Sequence, residues 1–140
     1  MKRILFVCTG NSCRSQIAEA LAKQSGKFKI TAFSAGISPI DISSYTYKVV
    51  EELGIDMSDQ KPKSLESFVH DRFDFVVALS PFANSICTKL ELGETKLFWD
   101  IEDPYASTAH DYGEAISKFR DVRDQIKNQL NYLLETIPEL

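Results

Sequence analysis

Apolar and polar positions along the chain follow two alternating periods. Residues 4–7 (Ile4, Leu5, Phe6, Val7) form an unbroken apolar run that ends at a loop rich in Gly, Asn and Ser, the pattern of a buried strand. From Ser15 the spacing turns helical: Ile17, Ala18, Ala20 and Leu21 share a face, and Gly26 supplies a stop. Residues 28–33 alternate apolar and polar as a second strand does, and residues 34–39 (Ser34, Ala35, Gly36, Ile37, Ser38, Pro39) read as a loop. A helix is expected over residues 45–53, where Val49, Val50 and Leu53 lie one turn apart before Gly54, and Leu65 with Phe68 marks a further short helix. Residues 73–79 are apolar nearly throughout, as a central parallel strand would be. A helix over 81–90 with Pro81 near its start follows, then a short fourth strand over 95–99. Residues 100–111, rich in acids, Ser, Thr and Pro, are a loop. Finally Ile116, Phe119, Val122, Ile126, Leu130, Leu133 and Ile137 make a long apolar stripe opposite Lys, Arg, Asp and Gln, an amphipathic helix ended by Pro138.

Strands alternating with helices imply a doubly wound parallel sheet, an α/β fold whose ligands bind at the carboxyl ends of the strands. The first of those ends is Cys8. The 140 residues suit a single domain with one core, and neither a repeat nor a linker interrupts them. The basic start and apolar run of residues 1–7 are too short for a signal peptide, and no stretch is apolar enough to span a bilayer. A net charge of −4 argues against a general nucleic-acid binder. Three cysteines, Cys8, Cys13 and Cys87, do not make a disulfide framework, so a reducing, cytoplasmic setting is expected. Zinc is not expected either, because the cysteine spacing is wrong and His70 and His110 have no second ligand pair nearby.

The loop Cys8-Thr9-Gly10-Asn11-Ser12-Cys13-Arg14-Ser15 joins a strand to a helix start, and each element has a physical use. Backbone N–H groups wrapping into a helix N-terminus form an anion nest. Gly10 and Asn11 tolerate the positive φ values that a tight nest needs. Arg14 presents a planar fork to two oxygens of a tetrahedral anion. The same positive surroundings favour the thiolate of Cys8 as a nucleophile, and Ser15 can donate to the sulfur when it later departs. The Gly-Lys-Ser/Thr ending of a nucleotide-binding P-loop is missing. A poor leaving group needs a general acid. Asp103 is the candidate, fixed in a loop conformation by Pro104 within an acidic cluster.

With these blocks in view, the chain resembles the low-molecular-weight protein-tyrosine phosphatases and the arsenate reductases that share their fold. The match lies in residues 4–15, Ala18-Glu19-Ala20, Ser34-Ala35-Gly36, Gly54-Ile55-Asp56 and Asp103-Pro104, in order over nearly the whole chain. The resemblance implies a three-layer fold with a four-stranded parallel sheet flanked by helices on both faces, and catalysis without metal or cofactor. It implies Cys8 as nucleophile, Arg14 as oxyanion clamp and Asp103 as acid and then base. Thr9 through Ser15 would bind phosphate, with Asn11 and Ser34 holding the loop in shape. It also implies reversible disulfide protection of Cys8 by Cys13.

Within that family the residues point two ways. Asp103-Pro104-Tyr105 is phosphatase-like, with Tyr105 placed to stack on an aromatic substrate. Gln16 (where phosphatases usually have Pro), Thr9, Ser12 and Trp99 lean towards the reductases. The thioredoxin-coupled reductases pass oxidation to two further cysteines near the end of the third strand. Ser80 stands in place of the first, and Cys87 aligns with the second, a further redox candidate or a small buried hydrophobe. The first reading is therefore hydrolysis of a phosphotyrosine protein or small aryl phosphate through a phosphocysteine intermediate. The alternative is arsenate reduction coupled to glutathione, glutaredoxin or thioredoxin. A third is a non-catalytic phosphate-binding or redox-sensing module. Residues 37–47 with Tyr105 are expected to form a mobile specificity rim.

Overall fold

The computed structural model describes residues 1–105 and 111–138. His110, named above as a non-ligand, and residues 106–110 of the acidic loop lie outside the described residues. The elements run β1 (Lys2–Cys8), α1 (Arg14–Ser25), β2 (Ile30–Gly36), α2 (Ser44–Glu51), a 3₁₀ turn (Leu65–Phe68), β3 (Phe73–Ala78), α3 (Pro81–Cys87), β4 (Gly93–Phe98) and α4 (Tyr112–Glu135). The four strands pair in parallel in the order β2-β1-β3-β4. The order reverses beside β1, so the carboxyl end of β1 lies at the topological switch point, where open α/β sheets place their ligands.

Each face of the sheet has its own core. Ile4 and Phe6 of β1 point towards α1, α2 and α4, where they join Ile17, Leu21, Val49, Phe119, Ile126 and Leu130. Leu5 and Val7, one residue out of phase, point to the opposite face and join Ala83 and Cys87 of α3 with Leu65 and Leu92. The unbroken apolar run at residues 4–7 is thus a strand covered on both faces. Side-chain oxygens of Ser43, Ser80 and Asp111 cap α2, α3 and α4, each contributing about 1 kcal/mol. Glu52 ties α2 to α4 through Arg120 and Arg123, each 2.6 Å away. Side-chain hydrogen bonds, chiefly from Arg120, draw its carboxyl down to about 2.

The elements expected from the pattern are present, with corrected bounds. Ser34, Ala35 and Gly36 are strand, not loop, because they pair in register with Phe6, Val7 and Cys8. Gly36 has no side chain because the loop after β1 lies on it: a Cβ there would stand 2.8 Å from the Asn11 backbone nitrogen and 2.9 Å from the Gly10 carbonyl carbon. Phe28 and Lys29 precede β2 rather than open it, and α3 stops at Cys87, short of Leu90. β4 begins earlier, at Gly93, and Trp99 lies just beyond it, buried against Phe6 with ring centroids 5.8 Å apart. Among the described residues no helix is long and apolar enough to cross a membrane.

Candidate active site

β1 delivers Cys8 to the carboxyl edge of the sheet, and α1 begins six residues later at Arg14. The loop between them is shaped from outside. Carbonyls of Cys8, Thr9, Gly10 and Ser12 accept hydrogen bonds from the backbone N–H groups of Ile37, Ser38, Ile40 and Ser43 at 2.8–3.2 Å. The Ser12 carbonyl also accepts from the Thr46 hydroxyl at 2.9 Å. In a trans peptide the N–H points opposite the C=O. Turning these carbonyls outward therefore turns the N–H groups of Thr9, Gly10, Asn11 and Cys13 inward. The Asn11 N–H meets the Cys8 sulfur at 3.2 Å. The segment expected as a mobile rim is thus stitched to the loop along much of its length.

Asn11 is the hub. Its φ of +50° is the one positive value at a described non-glycine residue, in a region L-residues enter at a cost. Its side chain offsets that cost with four hydrogen bonds. Nδ2 donates to the hydroxyls of Ser15 (2.7 Å) and Ser34 (3.0 Å). Oδ1 accepts from the Lys63 backbone N–H (2.8 Å) and from Gln16 (2.9 Å). The Ser15 hydroxyl lies 2.8 Å from the Cys8 sulfur.

Arg14 is buried at the first turn of α1. One terminal nitrogen donates to the carbonyls of Ile101 (3.1 Å) and, more weakly, Leu79 (3.4 Å). The other lies 4.0 Å from the Asp103 carboxylate. Its Nε is buried without a hydrogen-bond partner among the described residues. A buried, orphaned guanidinium N–H is costly unless an acceptor comes to it, and no side chain caps the N-terminus of α1 at Cys13. Both features suit a tetrahedral anion seated in the loop. Asp103 is half-exposed and accepts from the Tyr105 backbone N–H at 3.0 Å, a local turn that holds the carboxylate beside Arg14. The Tyr105 ring packs edge-on against Phe119 at 5.2 Å and its hydroxyl bonds with Ser43, although more than half its surface stays exposed.

The three cysteines are free thiols in different surroundings. Burial, with the neighbouring Cys8, pushes the Cys13 thiol up to about 12. Cys87 sits in the core on the α3 face, away from the loop, and burial pushes it up to about 11. Iodoacetamide at neutral pH is therefore expected to modify Cys8 alone and phosphate to slow that reaction, read by mass spectrometry of the labelled peptides; equal labelling of Cys13 would contradict the arrangement. Ser80 caps α3 and places its hydroxyl 3.3 Å from that of Thr9, at the edge of the loop.

The structure brings together all the loop residues singled out from the sequence, with Ser34, Asp103 and Tyr105, and leaves Cys87 apart. The sequence reading missed Glu19, Gln60 and Lys63. Glu19 is buried, accepts from the Ser34 hydroxyl at 2.5 Å and pairs with Lys23 and Lys63. Its signal was a polar residue on the apolar face of α1. Gln60 and Lys63 lie in a stretch with no period to read.

Fold and loop together define the class: an α/β protein with a strand-to-helix loop bearing Cys8 and Arg14 at the switch point of a parallel sheet. The family model described as low molecular weight phosphotyrosine protein phosphatase matches residues 3–139, and the chain belongs to this family. An arsenate reductase of a Bacillus cereus strain is 35% identical over 96% of both chains. A glutaredoxin arsenate reductase of Synechocystis sp. is 34% identical over 98% of this chain and 99% of its own. A solved arsenate reductase in its phosphate-binding state superposes with a TM-score of 0.78 at 32% identity, covering 99% of this chain and all of the other.

Proposed function

We propose that this protein is an arsenate reductase that takes its electrons from an external thiol, glutathione or a glutaredoxin, in a reducing cytoplasm. The end-to-end likeness to arsenate reductases carries the reading. It revises the order given by sequence alone, in which phosphotyrosine hydrolysis came first. In this proposal the Cys8 thiolate attacks arsenic, an As–S bond forms, and an As–O bond breaks as Asp103 protonates the departing oxygen. The inward N–H groups of the loop and Arg14 hold the other oxygens. A second thiolate then attacks the Cys8 sulfur. An S–S bond forms, the As–S pair stays on arsenic, As(V) becomes As(III), and arsenite leaves.

Ser80 supports an external source for that second thiolate. Its oxygen stands beside Thr9 where a relay sulfur would be needed, and a hydroxyl cannot form a disulfide. The resulting mixed disulfide on Cys8 is reduced by a further thiol. The expected result is arsenate-dependent NADPH oxidation with glutathione, glutaredoxin and glutathione reductase, and none with thioredoxin and its reductase alone. No arsenate turnover with any thiol donor would remove the proposal.

Hydrolysis of aryl phosphates is the second reading, favoured by Asp103 beside Arg14 and by exposed Tyr105 at the rim. The first half-reaction is common to both, so p-nitrophenyl phosphate belongs in the same experiment. Turnover of it without turnover of arsenate reverses the order.

A further inference from the structure

We propose that Gln16, backed by Gln60, is a positioning residue for Cys8: with the main chain of residues 61–63 it fixes which way the Asn11 amide faces, and so directs the Ser15 hydroxyl to donate its hydrogen bond to the sulfur. This role rests on Cys8 being the nucleophile of the proposed function, but its test needs no substrate.

Donors and acceptors follow one bond at a time. The Lys63 backbone N–H can only donate, so the Asn11 atom 2.8 Å away must be the carbonyl oxygen. The Lys61 carbonyl can only accept, so the Gln16 atom 3.0 Å away must be the NH₂ group. The same NH₂ lies 2.9 Å from Asn11 Oδ1, a second donor to that oxygen. Gln16 is held in turn. The Gln60 NH₂ donates to the Gln16 backbone carbonyl at 3.2 Å and to its Oε1 at 2.8 Å. Both glutamines are buried, so no water competes for these bonds.

With Oδ1 fixed, Asn11 Nδ2 faces Ser15 and Ser34 and donates to both. The Glu19 carboxylate requires the Ser34 hydroxyl to donate to it, which leaves the Ser34 oxygen free to accept from Asn11. Ser15 likewise accepts from Asn11, and its own proton turns to the Cys8 sulfur 2.8 Å away. The direction of the chain from Lys61 and Lys63 to Cys8 is thus dictated by main-chain groups and transmitted by Gln16 and Asn11. A chain that runs this way favours the anionic sulfur; one that runs the other way would ask the sulfur to donate.

The test is the rate of iodoacetamide alkylation of Cys8, located by mass spectrometry, as a function of pH. Gln16→Met keeps the side-chain length and every charge. Arg14 and Asp103, Cys13 in the loop, and Glu19 with Lys23 and Lys63 at the far end are all unchanged, so no formal charge around the chain of bonds is altered. Gln16→Met is expected to slow alkylation at pH 7 about 3- to 10-fold, the worth of one hydrogen bond, and to move the profile to higher pH. Ser15→Ala is expected to do the same, and the double variant no more than either single one, because both act through one bond. A wild-type profile in Gln16→Met, or effects that multiply in the double variant, would overturn the proposal. If Gln16→Met does not fold, Gln60→Met frees the other end of Gln16 and should shift the profile in the same direction; an unmoved profile there overturns it equally. Arsenate turnover can be absent while these results stand, and present while they fail.

Discussion

Cys8→Ser is expected to lower turnover, of arsenate or of an aryl phosphate, by at least ~10³-fold while the melting temperature and phosphate binding stay close to wild type. The substitution changes one atom. Asn11 N–H and the Ser15 hydroxyl, at 3.2 and 2.8 Å from the sulfur, can still bond to an oxygen. Arg14 and the inward N–H groups are untouched, so the proposed anion seat is retained. What is lost is chemistry. A serine hydroxyl is intrinsically far harder to ionise than a thiol, and an oxygen cannot carry the As–S or S–S bonds of the proposed reduction. Calorimetric titration with phosphate alongside the activity assay separates the two effects. Activity above about 1% of wild type would mean that the reacting atom lies elsewhere, and it would return the loop to the non-catalytic reading.

What could be read in advance follows from what kind of information each feature carries. The strands and helices were legible because burial on a sheet or along a helix face imposes a period, as in Leu5 and Val7 against Ile4 and Phe6. Boundaries were less legible where tertiary contact overrides local preference. Ser34 and Gly36 look like a turn until Gly36 is seen packed under Asn11 and Gly10, and Ser34 bonded to the Asn11 side chain. The candidate loop was readable because Cys8, Arg14 and Ser15 fall within one short stretch of sequence. Asp103 was readable through the adjacent Pro104. The second layer was not, since Gln16 meets Gln60, and Glu19 meets Lys63, across 44 positions of chain that must first fold back. A buried glutamine on an apolar helix face is a mismatch with its surroundings, and such mismatches are where function shapes a fold. The sequence by itself presents Gln16 only as a marker of one branch of the family.

Arg14→Lys is expected to cost about 10²- to 10³-fold in turnover, nearly as much as removing the guanidinium altogether. Charge is conserved, so the loss isolates geometry. The guanidinium performs three tasks at once. It donates to the Ile101 and Leu79 carbonyls, holds the Asp103 carboxylate at 4.0 Å, and keeps Nε free of protein partners among the described residues. An ammonium has one nitrogen and cannot reach the end of β3, the loop that carries Asp103 and an incoming anion together. The bond to Ile101 also fastens the segment that presents Asp103, so the substitution should disturb the acid as well as the clamp. Two measurements separate these consequences. Weaker phosphate protection of Cys8 from alkylation reports the clamp. A larger loss with a poor leaving group than with an activated aryl phosphate reports the acid. If the variant keeps turnover within about tenfold of wild type, the site needs only a positive charge, and the fork geometry assigned to Arg14 is wrong.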